Sequence, residues 1–188
     1  TNADISSDRF FSFTIGDANY LPSTGHFYVF ESDLNITWTD AKTKAEGKTY
    51  YGLKGYLATI LSAEESQISA EQISGAGWIG ANDKAQEGVW NWVTGPEGVI
   101  NFWNGTFTGS APIDATTGLP MYSNWNTNEP NQSGDEDYAH ITDNSIGLKG
   151  SWNDLPNEGG GGPYQAKGYI IEYGGMPGDP VLQISAST

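Results

Sequence analysis

The chain contains no cysteine and few basic residues. The missing cysteine excludes thiol catalysis, cysteine-based zinc sites and a disulfide framework. Lys and Arg number 8 against 23 Asp and Glu, so the formal net charge is −15. Nucleic acids and anionic membrane surfaces bind basic proteins, and neither is therefore expected as a partner.

Long apolar runs are also missing from the 188 residues. No run approaches the roughly 18 residues that cross a membrane, so we expect no membrane insertion. The length suits a single domain. An aromatic content of 13% is unlike that of a disordered acidic chain.

The negative charge is concentrated in the second half of the sequence. No Lys or Arg occurs from Ala85 to Leu148. The same stretch holds these carboxylates: Glu87, Glu97, Asp114, Glu129, Asp135, Glu136, Asp137 and Asp143. Charge runs are usually solvated faces, but Trp, Asn, Gly and Pro lie between these residues. Carboxylates and amide oxygens held close together in such loops are the ligands that a hard cation such as calcium requires.

The first half of the sequence alternates strand and helix patterns. His26–Phe30 is an aromatic run that predicts a strand. Trp38, Ala41 and Ala45 form an apolar stripe with helical spacing, and Gly47 is expected to end that helix. A capping box formed by Ser62 and Glu65 predicts a second helix that runs to about Ser74.

The second half predicts short strands and long loops. Strands are expected at residues 55–60, 77–81, 89–93, 138–142 and 168–173. The stretch from Pro96 to Pro130 predicts a long loop whose aromatic residues pack down. Two helices followed by many short strands indicate an α+β domain.

Three short segments of the second half carry the chemistry. They are Glu129-Pro130-Asn131, Glu136-Asp137 and Trp152-Asn153-Asp154. Other segments accompany them in a fixed order: Trp38-x-x-Ala41, Tyr56–Ile60, Gly77–Gly80, Trp92–Gly95, Asn124-Trp125 and Tyr169–Tyr173. Together these segments resemble a C-type lectin-like domain of the Glu-Pro-Asn and Trp-Asn-Asp type. The resemblance implies one such domain over residues 1–188, with a core at about 26–173, an N-terminal extension at 1–25 and a linker or terminal strand at 174–188.

The absence of cysteine departs from the family pattern. Ala45 and Ile171 occupy the positions of the long disulfide that the family usually has, and Tyr138 and Asn157 occupy those of the second. We expect apolar packing to replace the first disulfide and bound calcium to order the loops that the second would brace. Cysteine-free versions with the segment Phe102–Gly105 resemble bacterial modules of large surface adhesins.

The resemblance implies a primary calcium site. Its ligands would be Glu129, Asn131, Glu136, Asn153 and Asp154, and the same side chains would contact the sugar. Calcium takes six to eight oxygen ligands, so two positions remain for neighbouring sugar hydroxyls. The Glu129–Pro130 bond is expected to be cis, as in the family. The motif resembles the type that binds mannose, glucose, N-acetylglucosamine and fucose ahead of galactose.

The resemblance also implies a second, auxiliary calcium. Asp83, Glu87 and Asp137 match the family ligands for this ion, which they would share with Glu136. Gln132 stands where the family commonly has a further Asp, which would weaken the site. The alternative is that Asp83 and Glu87 belong to an ordinary turn.

These observations predict a calcium-dependent carbohydrate-binding module of a bacterial surface adhesin. We expect it to be extracellular, on the cell surface, in a larger multidomain protein, with cell-surface glycans as partners. The long loop from Glu97 to Ser123 is a candidate for additional sugar contacts. The alternative is a domain of the same fold that binds a protein or ice. A glycosidase using two of Glu129, Asp135 and Glu136 is not expected, because these residues match ion ligands.

Overall fold

The computed structural model describes residues 12–184. Within that range the helices are α1 (Trp38–Glu46) and α2 (Ala63–Gln72), with one turn of 3₁₀-helix at Gly162–Tyr164. The strands are β1 (Phe13–Ile15), β2 (Ala18–Leu21), β3 (His26–Ser32), β4 (Thr49–Tyr50), β5 (Leu53–Leu57), β6 (Gly77–Asn82), β7 (Val89–Trp92), β8 (Ile100–Asn104), β9 (Tyr138–Ile141), β10 (Trp152–Leu155) and β11 (Gly168–Tyr173). These elements confirm the predicted α+β class.

Helix α1 forms where its apolar stripe predicts it. The Thr37 side chain accepts a hydrogen bond from the backbone N–H of Asp40 at 3.1 Å and so caps the first turn. Trp38, Ala41 and Ala45 are buried, as the stripe requires. The helix ends at Glu46, and Gly47 follows as the expected C-cap, whose N–H donates to a carbonyl of the last turn.

Helix α2 begins with the predicted capping box. The Ser62 hydroxyl accepts from the N–H of Glu65 at 3.2 Å, and the Glu65 carboxylate accepts in return from the Ser62 hydroxyl and the Leu61 N–H, each at 2.9 Å. The helix ends at Gln72, slightly before the predicted Ser74.

Strand β11 is the centre of the sheet. It pairs antiparallel with β3 and β5 and parallel with β6. The main path runs β1-β2-β3-β11-β6-β7-β8, and β9 joins β6 to β10 as a side branch. This branch carries the Trp152-Asn153-Asp154 segment, and the sheet therefore anchors the predicted ligands Asn153 and Asp154.

Several segments differ from the sequence expectations. Part of the predicted N-terminal extension forms β1 and β2, and β2 pairs with β3. Part of the predicted long loop forms β8, which pairs with β7. No strand forms at 181–184 within the described residues. These strands are stabilised by partners distant in sequence, which local patterns do not show. Residues 1–11 and 185–188 of the predicted termini lie outside the described residues.

Packing replaces the disulfide that the family usually has between α1 and the last strand. Ala45 and Ile171 are both fully buried in one apolar cluster, as expected. The approach is close: a Cβ at Gly55 would lie 2.7 Å from the Ala45 carbonyl oxygen and 3.0 Å from Ile171 Cγ2. A larger residue at Gly55 would therefore force α1 away from β5 and β11.

The two positions of the second family disulfide each have partners in helix α1. Tyr138 packs on Trp38, with ring centroids 4.9 Å apart. Asn157 instead holds the start of α1: its backbone carbonyl accepts from the Trp38 N–H at 2.9 Å, and its side-chain oxygen accepts from the Thr39 N–H at 3.1 Å. Both substitutions thus connect their segments to α1.

An aromatic cluster lies beneath the acidic loops. Trp92 stacks on Phe102 at 4.8 Å and meets Trp152 edge-on at 5.4 Å. Trp152 is fully buried, as expected for a core residue, and Trp125 packs edge-on against it at 5.9 Å. Such aromatic pairs add to the stability that burial provides, so the loops above rest on a rigid base. None of the helices in residues 12–184 is long and apolar enough to cross a membrane.

Candidate functional site

The loop after Asn126 is attached to strand β10 by backbone groups. The N–H of Asn126 donates to the Trp152 carbonyl at 2.8 Å. The Asp154 carboxylate accepts from the N–H groups of Asn131, at 3.1 Å, and Gln132, at 2.9 Å. The Glu129–Pro130 peptide bond is cis, which confirms the expectation. The buried Asp154 therefore connects the loop to the sheet.

Glu129 is held by the two asparagine side chains of the predicted site. The amide of Asn131 donates to one carboxylate oxygen of Glu129 at 2.7 Å, and the amide of Asn153 donates to the other at 2.8 Å. Glu136 accepts from the backbone N–H of Ser133 at 2.8 Å. Each of these carboxylates is thus oriented by donors from the same loop or from β10.

The structure brings all of the predicted primary ligands to one cavity. The cavity has a volume of about 290 Å³. Its walls include Glu129, Asn131, Glu136, Asn153 and Asp154. Tyr164 also lines this cavity and was not predicted from the sequence. The glycine tract at 159–162, just before Tyr164, was the available signal, because such a tract lets the backbone approach a site closely.

Within residues 12–184, the carboxylates of this cavity have no basic counter-ion. Burial, together with the neighbouring Asp154 carboxylate, raises the pKa of Glu129 well above its usual range. Burial and the charge of Asp154 likewise raise the pKa of Glu136. No Lys or Arg in residues 12–184 forms an ion pair with Glu129, Glu136 or Asp154. Carboxylates that repel one another in this way favour the binding of a cation.

The donor set suits calcium in its chemistry. The side chains predicted as ligands offer carboxylate and amide oxygens, which calcium prefers, and no thiolate is present in the chain. Within the described residues, no group of three or more His, Asp or Glu side chains is arranged so that it could hold a metal ion by itself. A site here therefore depends on the amide oxygens of Asn131 and Asn153 as well as the carboxylates.

The predicted auxiliary ligands lie near one another but are engaged with other partners. Asp83 is buried; one of its carboxylate oxygens accepts from the Gly88 N–H at 2.8 Å, and the other has no hydrogen-bond partner among residues 12–184. Burial raises the pKa of Asp83 to about 7, and the charges of Glu87 and Asp137 add to this effect.

Two other predicted auxiliary ligands, Asp137 and Glu87, already interact with side chains of the protein. The Lys84 ammonium lies 2.6 Å from an Asp137 carboxylate oxygen. Gln132 stands where the family commonly has an Asp, and its side-chain amide donates a hydrogen bond to the Glu87 carboxylate. Among residues 12–184, one Asp83 oxygen is thus left without a hydrogen-bond partner, whereas Asp137 has a positive partner in Lys84.

The two histidines lie outside the site. His140 is fully buried against Trp78, and burial lowers its pKa to about 3. His26 contacts Glu172 at 2.6 Å on the central strand. Both are packed residues, in line with the sequence interpretation.

The domain has the C-type lectin-like fold. Its parts are the sheet centred on β11, the two helices and the long loops that converge on β9 and β10. Solved structures of C-type lectin-like domains share this fold at high probability, which confirms the sequence resemblance.

The relatives found by comparison agree with this fold. No protein-family model matches the chain. Halomucin from Haloquadratum walsbyi (strain DSM 16790 / HBSQ001) is 37% identical over 171 residues, which make up 88% of this chain and 2% of halomucin. The chain spans about a quarter of the length of other curated relatives, which are C-type lectin domain proteins.

Two similar solved structures come from proteins of different kinds. The cow C-type carbohydrate-recognition domain of CD23, determined in the presence of a GlcNAc2Man3 oligosaccharide, has a TM-score of 0.56 and 21% identity, covering 86% of this chain and 95% of that domain. A calcium-independent type II antifreeze protein has a TM-score of 0.56 and 20% identity, covering 88% of this chain and 97% of that protein. The shared fold alone therefore does not identify a ligand.

Proposed function

We propose that this domain binds calcium and, through the bound ion, carbohydrate. The observation that carries the proposal is the common cavity lined by Glu129, Asn131, Glu136, Asn153 and Asp154. Its oxygen donors support a calcium ion at this place, as do its carboxylates, which have no basic partner in the described part of the chain. The complete set of residues that the family resemblance implies supports a sugar as the ligand.

The protein side chains would each act on both ion and sugar. Bound calcium would supply a cationic centre for two neighbouring sugar hydroxyls. Carboxylate oxygens such as those of Glu129 accept hydrogen bonds from the hydroxyls, and the amide groups of Asn131 and Asn153 donate to hydroxyl oxygens. Each of these amides donates one N–H to Glu129, which leaves its second N–H for a sugar hydroxyl. Mannose, glucose, N-acetylglucosamine and fucose are the proposed sugar classes.

We also propose a weaker second calcium at Asp83, Glu87, Glu136 and Asp137. The unpartnered buried oxygen of Asp83 supports it, and the Lys84–Asp137 ion pair opposes it. Calcium titration by calorimetry in wild type and in Asp83→Asn tests this point. A stoichiometry near two that falls to one in the variant is expected; an unchanged stoichiometry of one would contradict the second ion.

The primary test is a glycan array measured with calcium and again with a chelator. Binding in calcium and loss of binding in chelator are expected. Glu129→Gln and Asn153→Asp should each abolish binding, because each alters a side chain that contacts both ion and sugar. The fold should persist at high calcium, as followed by circular dichroism. Glu158→Gln is the matched control, because Glu158 is an exposed glutamate of a neighbouring loop that does not line the cavity.

The setting of the domain is proposed to be the surface of a bacterial cell, within a longer extracellular adhesin. The match to a small part of halomucin supports a module of a larger protein. One sugar held through two hydroxyls should bind with a Kd on the order of millimolar. Adhesion would then need several copies or extended contacts to an oligosaccharide.

A protein or ice ligand is the second candidate function. The structural similarity to a calcium-independent antifreeze protein favours it. Binding of a protein ligand in chelator, together with a blank glycan array in calcium, would replace the carbohydrate proposal. We propose no enzymatic role, and release of reducing sugar from a bound glycan would contradict this.

A further inference from the structure

A second cavity adjoins the candidate calcium site and shares one of its walls. It has a volume of about 270 Å³ and is lined by Trp103, Phe107, Trp125, Asn126, Asn128 and Glu129, among others. Glu129 lines both cavities. The side chain of Asn126 also donates to the side-chain oxygen of Asn153 at 3.2 Å, so the two cavities are in direct contact.

Phe107 is presented by an ordered turn after strand β8. Asn104 and Ser110 form two backbone hydrogen bonds, at 3.0 and 2.9 Å, which close the turn. The Trp103 indole N–H donates to the Thr106 carbonyl at 3.1 Å, inside the same turn. The side chain of Phe107 is nevertheless 53% exposed. The closed turn thus holds Phe107 in the wall of the cavity, together with Trp103, and leaves about half of its side chain open to a ligand.

The polar groups of this cavity are mainly uncharged amides. The Asn128 side chain makes no hydrogen bond within the described part of the chain and is exposed. The Asn126 side-chain oxygen accepts from the Thr127 N–H at 2.9 Å. Glu129 is the charged residue among those that line the cavity. Aromatic faces combined with a few oriented amide groups suit a neutral ligand that has both C–H faces and hydroxyls.

We propose that this cavity is a second saccharide subsite, which binds the sugar unit next to the one at the calcium site. The proposal rests on the proposed carbohydrate function and deepens it. The C–H face of this unit packs on Phe107 and Trp103, and its hydroxyls bond to the amides of Asn126 and Asn128. The domain would therefore bind oligosaccharides more tightly than single sugars.

The test compares small and extended sugars with the full chain in calcium. The probes are the methyl glycosides of mannose, glucose, N-acetylglucosamine and fucose, and a glycan array for oligosaccharides. Phe107→Ala should weaken binding to oligosaccharides about 5- to 10-fold, the effect of losing one aromatic contact. Its affinity for the methyl glycosides should change less than about 2-fold. Phe107→Tyr keeps the ring and should restore oligosaccharide binding.

Ile113→Ala is the control substitution. Ile113 belongs to the same long segment and is 62% exposed, but it does not line the cavity. The Ile113→Ala variant should bind all glycans with the affinity of wild type. Equal affinities of wild type and Phe107→Ala for every oligosaccharide would overturn the subsite while leaving the calcium site intact. If the wild-type chain bound no sugar in calcium, the proposed function and the subsite would both be overturned. Binding of a peptide in this cavity would overturn the subsite alone.

Discussion

A buried pair of glutamates outside the candidate calcium site predicts that the free energy of unfolding falls as the pH rises. Glu65 is only 5% exposed and lies close to Glu172, which is 2% exposed. The Tyr28 hydroxyl lies 3.2 Å from one oxygen of Glu65 and 3.1 Å from one oxygen of Glu172. A single phenolic proton can donate to only one of them at a time, so the two carboxylates compete for it.

The size of the effect follows from the pKa of Glu65. Burial and the charge of Glu172 raise this pKa from 4.5 to about 7. The folded state therefore binds the proton more tightly than the unfolded state. Between about pH 4.5 and 7 the free energy of unfolding falls as the pH rises, by about 1.4 kcal/mol per pKa unit, or on the order of 3 kcal/mol in total.

Glu65→Gln removes the charge and keeps the contacts. The amide oxygen can accept from the Leu61 N–H and the Ser62 hydroxyl, and the amide N–H can donate to the Tyr28 hydroxyl, which then donates to Glu172. The variant should be up to about 3 kcal/mol more stable than wild type at pH 8 and similar to it at pH 4.5. Urea denaturation at both pH values, in chelator, measures this difference.

Glu71→Gln is the matched control, because Glu71 is an exposed residue of the same helix. It should follow the wild-type pH profile. In both variants and in wild type, His26 adds a further dependence of the free energy of unfolding on pH. Burial lowers the pKa of His26, but the hydrogen bond and the charge of Glu172 outweigh burial and raise this pKa overall. The stability from that pair is present below about pH 6.5 and is lost as pH rises through the folded pKa. A constant difference between Glu65→Gln and wild type at every pH would refute the reasoning.

Three further predictions concern the candidate site and its base. Calcium at 100 times its Kd should stabilise the fold by about 2.7 kcal/mol; equal melting temperatures in calcium and in chelator would contradict a bound ion. Acid should release the sugar, because calcium needs ionised carboxylates; a glycan affinity unchanged between pH 7 and pH 4 would argue against them as ligands. Trp152→Ala should cost about 3–5 kcal/mol in urea denaturation, because it empties the aromatic cluster beneath the loops; a cost below 1 kcal/mol would mean that this cluster does not support the site.

Several features of the fold could be predicted because neighbouring residues determine them. The capping box of Ser62 and Glu65 acts over three positions, and the stripe of Trp38, Ala41 and Ala45 lies on one helical face. Both helices therefore form as predicted. The cis bond before Pro130 followed from the family motif rather than from local physics, and it is also confirmed.

Other features depend on partners that are far apart in the sequence. Strand β8 was predicted as loop, since its pairing with β7 is not visible in its own residues. The predicted ligand Asp137 forms an ion pair with Lys84, and no local pattern indicates that pairing. The five ligands of the predicted primary site were named from the motif, while their common cavity depends on how the loop lies on β10.

The sequence by itself determined the α+β class, the two helices and the identity of the oxygen donors in the acidic half. These depend on residue chemistry and on contacts within a few positions along the chain. Only the tertiary structure decided that Phe107 and Glu129 line one cavity. It also decided that Tyr28 lies between Glu65 and Glu172, from which it is separated by 37 and 144 positions. The physical reason is that sheet pairing and core packing set such distances, and both arise only when the whole chain folds.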